Sequence, residues 1–245
     1  SHYDVAIAIG YALATEQIRE FDSKGKLFVG ELALDGSLRA VRGILNIVCM
    51  AAAEGMEEVY VPAANVREAA LVAGIRVIPV ETVSGLIAHL EGRVRIASQE
   101  QTMIPDAFPV ADNEIDISDI KGQEHAKRAL FIAAAGGHHM LMTGTPGGGK
   151  TMLAQALVGI LPHLSLTEVI EITQIYCVAG LLGDRPYVES RPFRSPHHTA
   201  SEAALVGGGS YPKPGEISLA HRGALFLDEL PEFHRDVLES LRQPL

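Results

Sequence analysis

Eight consecutive residues, Gly144-Thr145-Pro146-Gly147-Gly148-Gly149-Lys150-Thr151, fill the pattern G-x-x-x-x-G-K-[ST] at every fixed position and follow the apolar run Met140-Leu141-Met142. The pattern leaves few folds open. It needs a strand that delivers the chain to a glycine-rich turn and a helix that leaves it. Only then do successive backbone N–H groups converge on an anion, with the positive end of the helix dipole behind it. A strand over 140–142 and a helix from Lys150 onward are therefore predicted. In such a loop Gly144, Thr145, Pro146, Gly147, Gly148 and Gly149 wrap the phosphates of ATP, Lys150 reaches the β- and γ-phosphates, and the Thr151 hydroxyl binds Mg²⁺.

A second run, Ala224-Leu225-Phe226-Leu227-Asp228-Glu229, has four apolar residues ending in two carboxylates, and Asp228 lies 77 residues beyond Thr151. Alone it describes any core strand that runs into a solvated turn. Behind a complete phosphate loop it describes a buried parallel strand whose carboxyl end carries Asp228 to the Mg²⁺ held by Thr151. Glu229 is then placed to polarise the attacking water, a general-base role that needs a carboxylate near the γ-phosphate. The catalytic candidates are Glu229 and Lys150.

Composition narrows the class. At 245 residues and 47% hydrophobic content the chain can bury the cores of two modest domains. No run approaches the roughly 18 apolar residues of a membrane span, and Ser1-His2-Tyr3-Asp4 shows neither a basic region nor a cleavage pattern, so a cytoplasmic protein with no membrane partner is expected. Cys49 and Cys177 are isolated thiols in apolar helical patterns and read as packing residues. The net charge of −10 is uneven, because residues 101–120 carry five acids and no Lys or Arg, whereas residues 121–245 carry 12 acids and 11 Lys/Arg. A nearly neutral second half neither requires nor forbids a polyanionic partner.

Residues 1–96 read as an α/β unit. A helical stripe covers 3–18, a strand 27–34, and Asp35-Gly36 marks a hairpin of type I′ with a return strand over 37–41. A helix over 44–54 ends at Gly55, a strand follows at 59–61, and Asn65 with Glu68 forms a capping box for a helix through Ala73. A strand at 75–80 and a helix at 83–90 complete it. Residues 97–119, with Pro105, Pro109 and clustered acids, read as a linker. The second domain, 120–245, opens with a helix over 126–135, carries the loop and its helix, more helical pattern at 166–176, and the acidic-ended strand. That alternation predicts a parallel sheet flanked by helices. Between the two motifs lies Arg191-Pro192-Phe193-Arg194-Ser195-Pro196-His197-His198-Thr199, then Gly207-Gly208-Gly209 and Pro212-Lys213-Pro214-Gly215-Glu216. The adjacent pairs His138-His139 and His197-His198 point in different directions on any regular backbone, which argues for surface or interface residues over metal ligands.

Several blocks, Ile120-Lys121-Gly122-Gln123, Ala133-Ala134-Ala135-Gly136-Gly137-His138-His139, the phosphate loop, the segment 191–199 and Pro214-Gly215-Glu216-Ile217-Ser218-Leu219-Ala220-His221-Arg222-Gly223, resemble the magnesium-chelatase-like AAA+ ATPases, specifically the YifB/ComM type. The resemblance implies a Lon-protease-like (ribosomal protein S5 domain 2-like) α/β domain, to which residues 27–62 are similar, followed by an AAA+ α/β/α core. It further implies an ATP-driven hexameric ring acting on DNA, with branch-migration helicase activity during natural transformation. Compared with the family pattern, the chain opens within the Lon-like domain and stops at Leu245, before the sensor, arginine finger and helical lid, so a fragment with low activity of its own is expected.

The Lon resemblance raises proteolysis by a Ser–Lys dyad as a rival. Aligning the glycine-containing turn places Leu45 where the lysine belongs and His2 nearest the nucleophile, and a serine without a base is a poor nucleophile, so a proteolytically inactive domain that binds a protein partner or serves assembly is favoured. Two other readings remain open: a chelatase-type metal-insertion motor and an ATP-regulated protein-interaction module. For DNA, the basic residues of the irregular segment, Arg191, Arg194 and Lys213, are the candidates; the two arginines would equally suit bracing an interface or a nucleotide.

Overall fold

A computed structural model describes residues 1–105, 115–209 and 212–242. The chain forms two compact units, Ser1–Ile104 with Tyr176–Tyr187, and Pro105–Ile175 with Val188–Leu245. The middle of the acidic connector, residues 106–114 with Pro109, lies outside the described residues. No helix among those described is long and apolar enough to cross a membrane.

The first unit begins with α1 (Asp4–Ala14), which buries Val5, Ile9 and Ala12, one stripe at helical spacing. It stops four residues short of the predicted end because Glu16 takes a left-handed conformation at φ +56° and the Gln17 N–H turns back to the Ala12 carbonyl at 2.9 Å. The strand predicted over 27–34 is two strands, β1 (Lys26–Phe28) and β2 (Glu31–Leu32). Between them the chain changes partner: the Val29 N–H bonds the Tyr60 carbonyl at 3.0 Å, and the Gly30 N–H bonds that of His2 at 3.0 Å. The hairpin to β3 (Leu38–Arg39) pairs Glu31 with Arg39 and Leu32 with Leu38. It is not a type I′ turn, since only Gly36, at φ +83°, takes positive φ. The Asp35 carboxylate accepts from the Ser37 N–H at 2.9 Å and hydroxyl at 2.6 Å, a local ring that favours a three-residue loop with glycine last.

Then come α2 (Ile44–Ala53), β4 (Glu58–Pro62), the short α3 (Val66–Ala69), β5 (Arg76–Val80) and α4 (Val83–Leu90), whose Thr82 hydroxyl caps the Gly85 N–H at 3.1 Å. Strands β1, β4 and β5 form a parallel sheet in that order. Tyr60, Ile78 and Val80 from its face pack with Val5, Ile9 and Leu86. The predicted capping box is absent, because Asn65 is spent elsewhere. Its buried amide accepts from the Val41 N–H and donates to the Val41 carbonyl, both at 2.9 Å, while Glu68 receives its second N–H. The helix α3 ends at Ala69 rather than Ala73. Residues beyond 96 remain tied to this unit, the Gln99 N–H to Val77 at 2.8 Å and the Thr102 N–H to Ala70 at 2.9 Å.

The second unit contains α5 (Glu124–Gly136), α6 (Lys150–Ile160) and α7 (Leu166–Ala179), the last four residues of which fall in the first unit. After these come β6 (Phe193–Arg194), α8 (Glu202–Val206), β7 (Gly207–Gly208), β8 (Lys213–Pro214), α9 (Glu216–Leu219), β9 (Ala224–Leu225) and α10 (Arg235–Ser240). One core gathers Ile120, Leu130, Leu153 and Ala156, and another Leu205, Phe233, Val237 and Leu241. The predicted strand at 140–142 is not formed. Met140 and Met142 pack on the first core and Leu141 is 78% exposed, the two-residue alternation of a strand, but no neighbour among the described residues supplies a ladder. The run 224–227 keeps strand geometry only over β9, which pairs in parallel with β6. The expected broad parallel sheet is, among the described residues, this pair beside an antiparallel β7–β8 pair.

Candidate nucleotide site

The loop ahead of α6 has the backbone that its glycines allow. Gly147 and Gly149 sit at φ +77° and +80°, where a side chain would be strained, and Gly149 is the N-cap of α6. The turn is closed by the Gly148 N–H on the Thr145 carbonyl at 3.2 Å and braced by the Gln123 side-chain amide on the Gly148 carbonyl at 3.3 Å. The Lys150 ammonium folds back onto its own loop, donating to the carbonyls of Gly144 at 3.0 Å and Thr145 at 3.1 Å. A point charge held only by neutral, solvent-exposed carbonyls is available to an anion that offers it formal charge. The loop therefore fits a polyphosphate: positive-φ glycines, a helix N-terminus of full length and an ammonium over the turn.

Asp228 and Glu229 follow β9 and are exposed. The Asp228 carboxylate accepts the Glu229 N–H at 3.0 Å, Glu229 lies at φ +52°, and its carbonyl accepts the Glu232 N–H at 2.8 Å. Among the described residues no hydrogen bond or ion pair joins Lys150 or Thr151 to Asp228 or Glu229.

The basic candidates divide. Arg191 is 12% exposed and spans the unit's interior, its guanidinium donating to the carbonyls of Pro162 and Arg222, both at 2.6 Å, and pairing with Glu168 at 3.3 Å. Arg194 makes a forked pair with Glu216, Nη2 to Oε1 at 2.8 Å and Nε to Oε2 at 2.5 Å. Lys213 is exposed, and no ion pair or hydrogen bond of its ammonium is found among the described residues. Sequence reading did not single out the acids of α7 that anchor this network. The Ser165 N–H, with the Arg191 charge behind it, holds the Glu168 carboxyl below its ordinary range, and Arg222 and His221 do the same to Glu171. Their spacing, acids three apart on one helix, was the available signal.

In the first unit, Leu45 is completely buried at the start of α2, and a His2 ring nitrogen lies 3.0 Å from the Arg42 carbonyl. The Cys177 thiol donates to Glu68 at 3.2 Å, and burial pushes it up to about 12, so it is inert at neutral pH.

The chain resembles known proteins over nearly its whole length. Residues 116–245 match the family described as magnesium chelatase, subunit ChlI, and residues 1–65 match subunit ChlI of Mg-chelatase. The competence protein ComM of Haemophilus influenzae is 44% identical over 99% of this chain and 48% of its own length, and the uncharacterised protein YifB of Escherichia coli is 44% identical over 99% of this chain and 47% of its own length. An archaeal Lon protease of Pyrococcus abyssi is 32% identical over 91 residues, 37% of this chain and 9% of that protein. The chain thus spans about half the length of the ComM and YifB proteins it matches.

Proposed function

Because the chain belongs to the magnesium-chelatase-like ComM/YifB family of AAA+ type, we propose that it is the nucleotide-handling part of a Mg²⁺-dependent ATPase that assembles as a ring, a hexamer, and acts on DNA as a branch-migration helicase. The observation that carries the reading is the loop 144–151, with its two left-handed glycines and the Lys150 ammonium poised over it. Backbone N–H groups of Thr145, Gly147 and Gly149 would hold the phosphates, and Thr151 and Asp228 would hold Mg²⁺, which would neutralise charge on the phosphates when bound. Lys150 compensates negative charge, and Glu229 takes the proton of the attacking water. Residues 1–96 serve as a Lon-like scaffold without peptidase activity, supported by buried Leu45 in place of a lysine, residues 97–119, the first of which stay bonded to that unit, as the connector, and residues 120–245, apart from Tyr176–Tyr187, as the ATPase core.

A metal-insertion motor is the second reading, favoured by the match of both segments to a chelatase subunit. Two measurements separate the outcomes. Lys150→Ala should abolish binding of ATP·Mg²⁺ by titration calorimetry, and unchanged affinity would refute the nucleotide site itself. DNA affinity that falls steeply with salt supports the DNA motor, whereas its absence in the full-length protein leaves the chelatase reading.

A further inference from the structure

The block His197-His198-Thr199 has no role in a generic nucleotide site, yet it lies beside one of the site's acids. Strands β6 and β9 pair in parallel with Phe193 opposite Ala224 and Arg194 opposite Leu225, an offset of 31 residues. The ladder continues past the strands' ends, with the Phe226 N–H on the Arg194 carbonyl at 2.8 Å and the rings of Phe193 and Phe226 stacked at 6.1 Å. Four residues beyond the last paired position of each strand, the His198 Nδ1 stands 3.7 Å from the Glu229 carboxylate.

The imidazole is itself held. The rings of His197 and His198 lie 4.0 Å apart, and the Thr199 N–H, at 3.4 Å, and hydroxyl, at 2.9 Å, both address the His197 Nδ1. Glu229 needs such support, because its side chain is 67% exposed and, among the described residues, the side chain found within ion-pair distance of its carboxylate is that of His198.

We infer that His198 is a positioning residue for Glu229: the chain Thr199, His197, His198 fixes the carboxylate that the phosphate site uses as its base. The inference rests on the reading of Glu229 given above. A base that is free to wander loses proximity to the attacking water, which costs turnover and not binding.

The test is ATP turnover by the full-length protein, with nucleotide affinity measured in parallel. His198→Ala should lower kcat by about tenfold to a hundredfold with KM for ATP and nucleotide affinity within about twofold of the parent. His198→Asn, whose amide nitrogen sits close to the position of Nδ1, should restore most of it, and His198→Ala should cost nothing further in a Glu229→Gln background. Loss of nucleotide binding in His198→Ala, no rescue by Asn, or additive losses would overturn the inference in favour of a structural histidine. Undiminished turnover in Glu229→Gln would instead remove Glu229 as the base. Independently of turnover, Glu229→Gln should shift the ring resonances of His198 in the NMR spectrum of the nucleotide-free chain; unmoved resonances would refute the contact.

Discussion

Arg191 decides between a brace and a nucleic-acid contact, and Arg191→Ala separates the two. Its guanidinium, 12% exposed, makes two bonds of 2.6 Å to backbone carbonyls and an ion pair of 3.3 Å with Glu168. Two charge-assisted bonds to carbonyls contribute about 3 kcal/mol, and a partly buried pair adds about 1–2 kcal/mol. Releasing the arginine rotamers returns about 1.5–2 kcal/mol, leaving a net loss of about 3 kcal/mol. Hydrogen exchange reads that loss where it should fall. The amides of Ala224 and Phe226, bonded at 2.8 Å to the carbonyls of Pro192 and Arg194, lie on the same unit and should lose roughly two decades of protection. The Val29 amide of the first unit serves as the internal control. Lys213→Ala should leave all three within about twofold, as expected of an exposed side chain. If Arg191→Ala changes Ala224 and Phe226 by less than about threefold while DNA affinity drops, the bracing argument is wrong and Arg191 faces the polyanion.

In the first unit, Asn65→Ala should lower stability by about 2–4 kcal/mol in urea unfolding, because it strips both polar groups of Val41 of their buried partner; a neutral substitution would mean that water replaces the amide. Burial raises the Glu68 carboxyl above its ordinary value of 4.5, outweighing its bonds from Asn65 and Cys177. Its contribution is therefore fully present below pH 4.5 and lost as pH rises through the raised folded value, so Glu68→Gln should gain stability relative to the parent between pH 4 and pH 7. A difference that stays flat over that range, or that shrinks as pH rises, would show the carboxylate to be well solvated.

Local signals were legible where a residue's own chemistry settles its conformation. The helix from Lys150 follows from glycines and spacing, and the helix at 83–90 from its apolar pattern, and both stand in the structure at the predicted start. Elements whose partners lie far along the chain were less so. Asn65-x-x-Glu68 has the capping signature, but Val41, 24 residues upstream, competes for the same amide and wins both bonds. Asp35-Gly36 suits a type I′ turn until Ser37 offers the carboxylate two donors. The strand at 140–142 shows the right alternation and no ladder, since pattern specifies a face and only a neighbour makes a strand. The candidate site, Lys150, Thr151, Asp228 and Glu229, came from motif spacing alone, while the neighbours of those residues were not legible. Arg191 is committed to Pro162 and Arg222, and His198 to Glu229, through registers that no spacing along one segment reveals.

The membership of residues Tyr176–Tyr187 in the first unit bears on the order in which a ribosome can finish that unit. The Cys177 carbonyl accepts the Gly43 N–H at 3.3 Å and its thiol bonds Glu68, so the start of α2 and the end of α3 are both fastened by chain synthesised long after them. At roughly 5–20 residues per second, the interval between Ile104 and Tyr187 leaves the sheet of β1, β4 and β5 waiting about 4 to 17 seconds with those fastenings open. During that time the sequence of the second unit is emerging, and its loop and α6 are made before the first unit is closed. Completion therefore runs against the order of synthesis, and of the two units the one begun first is the one that depends on the later chain.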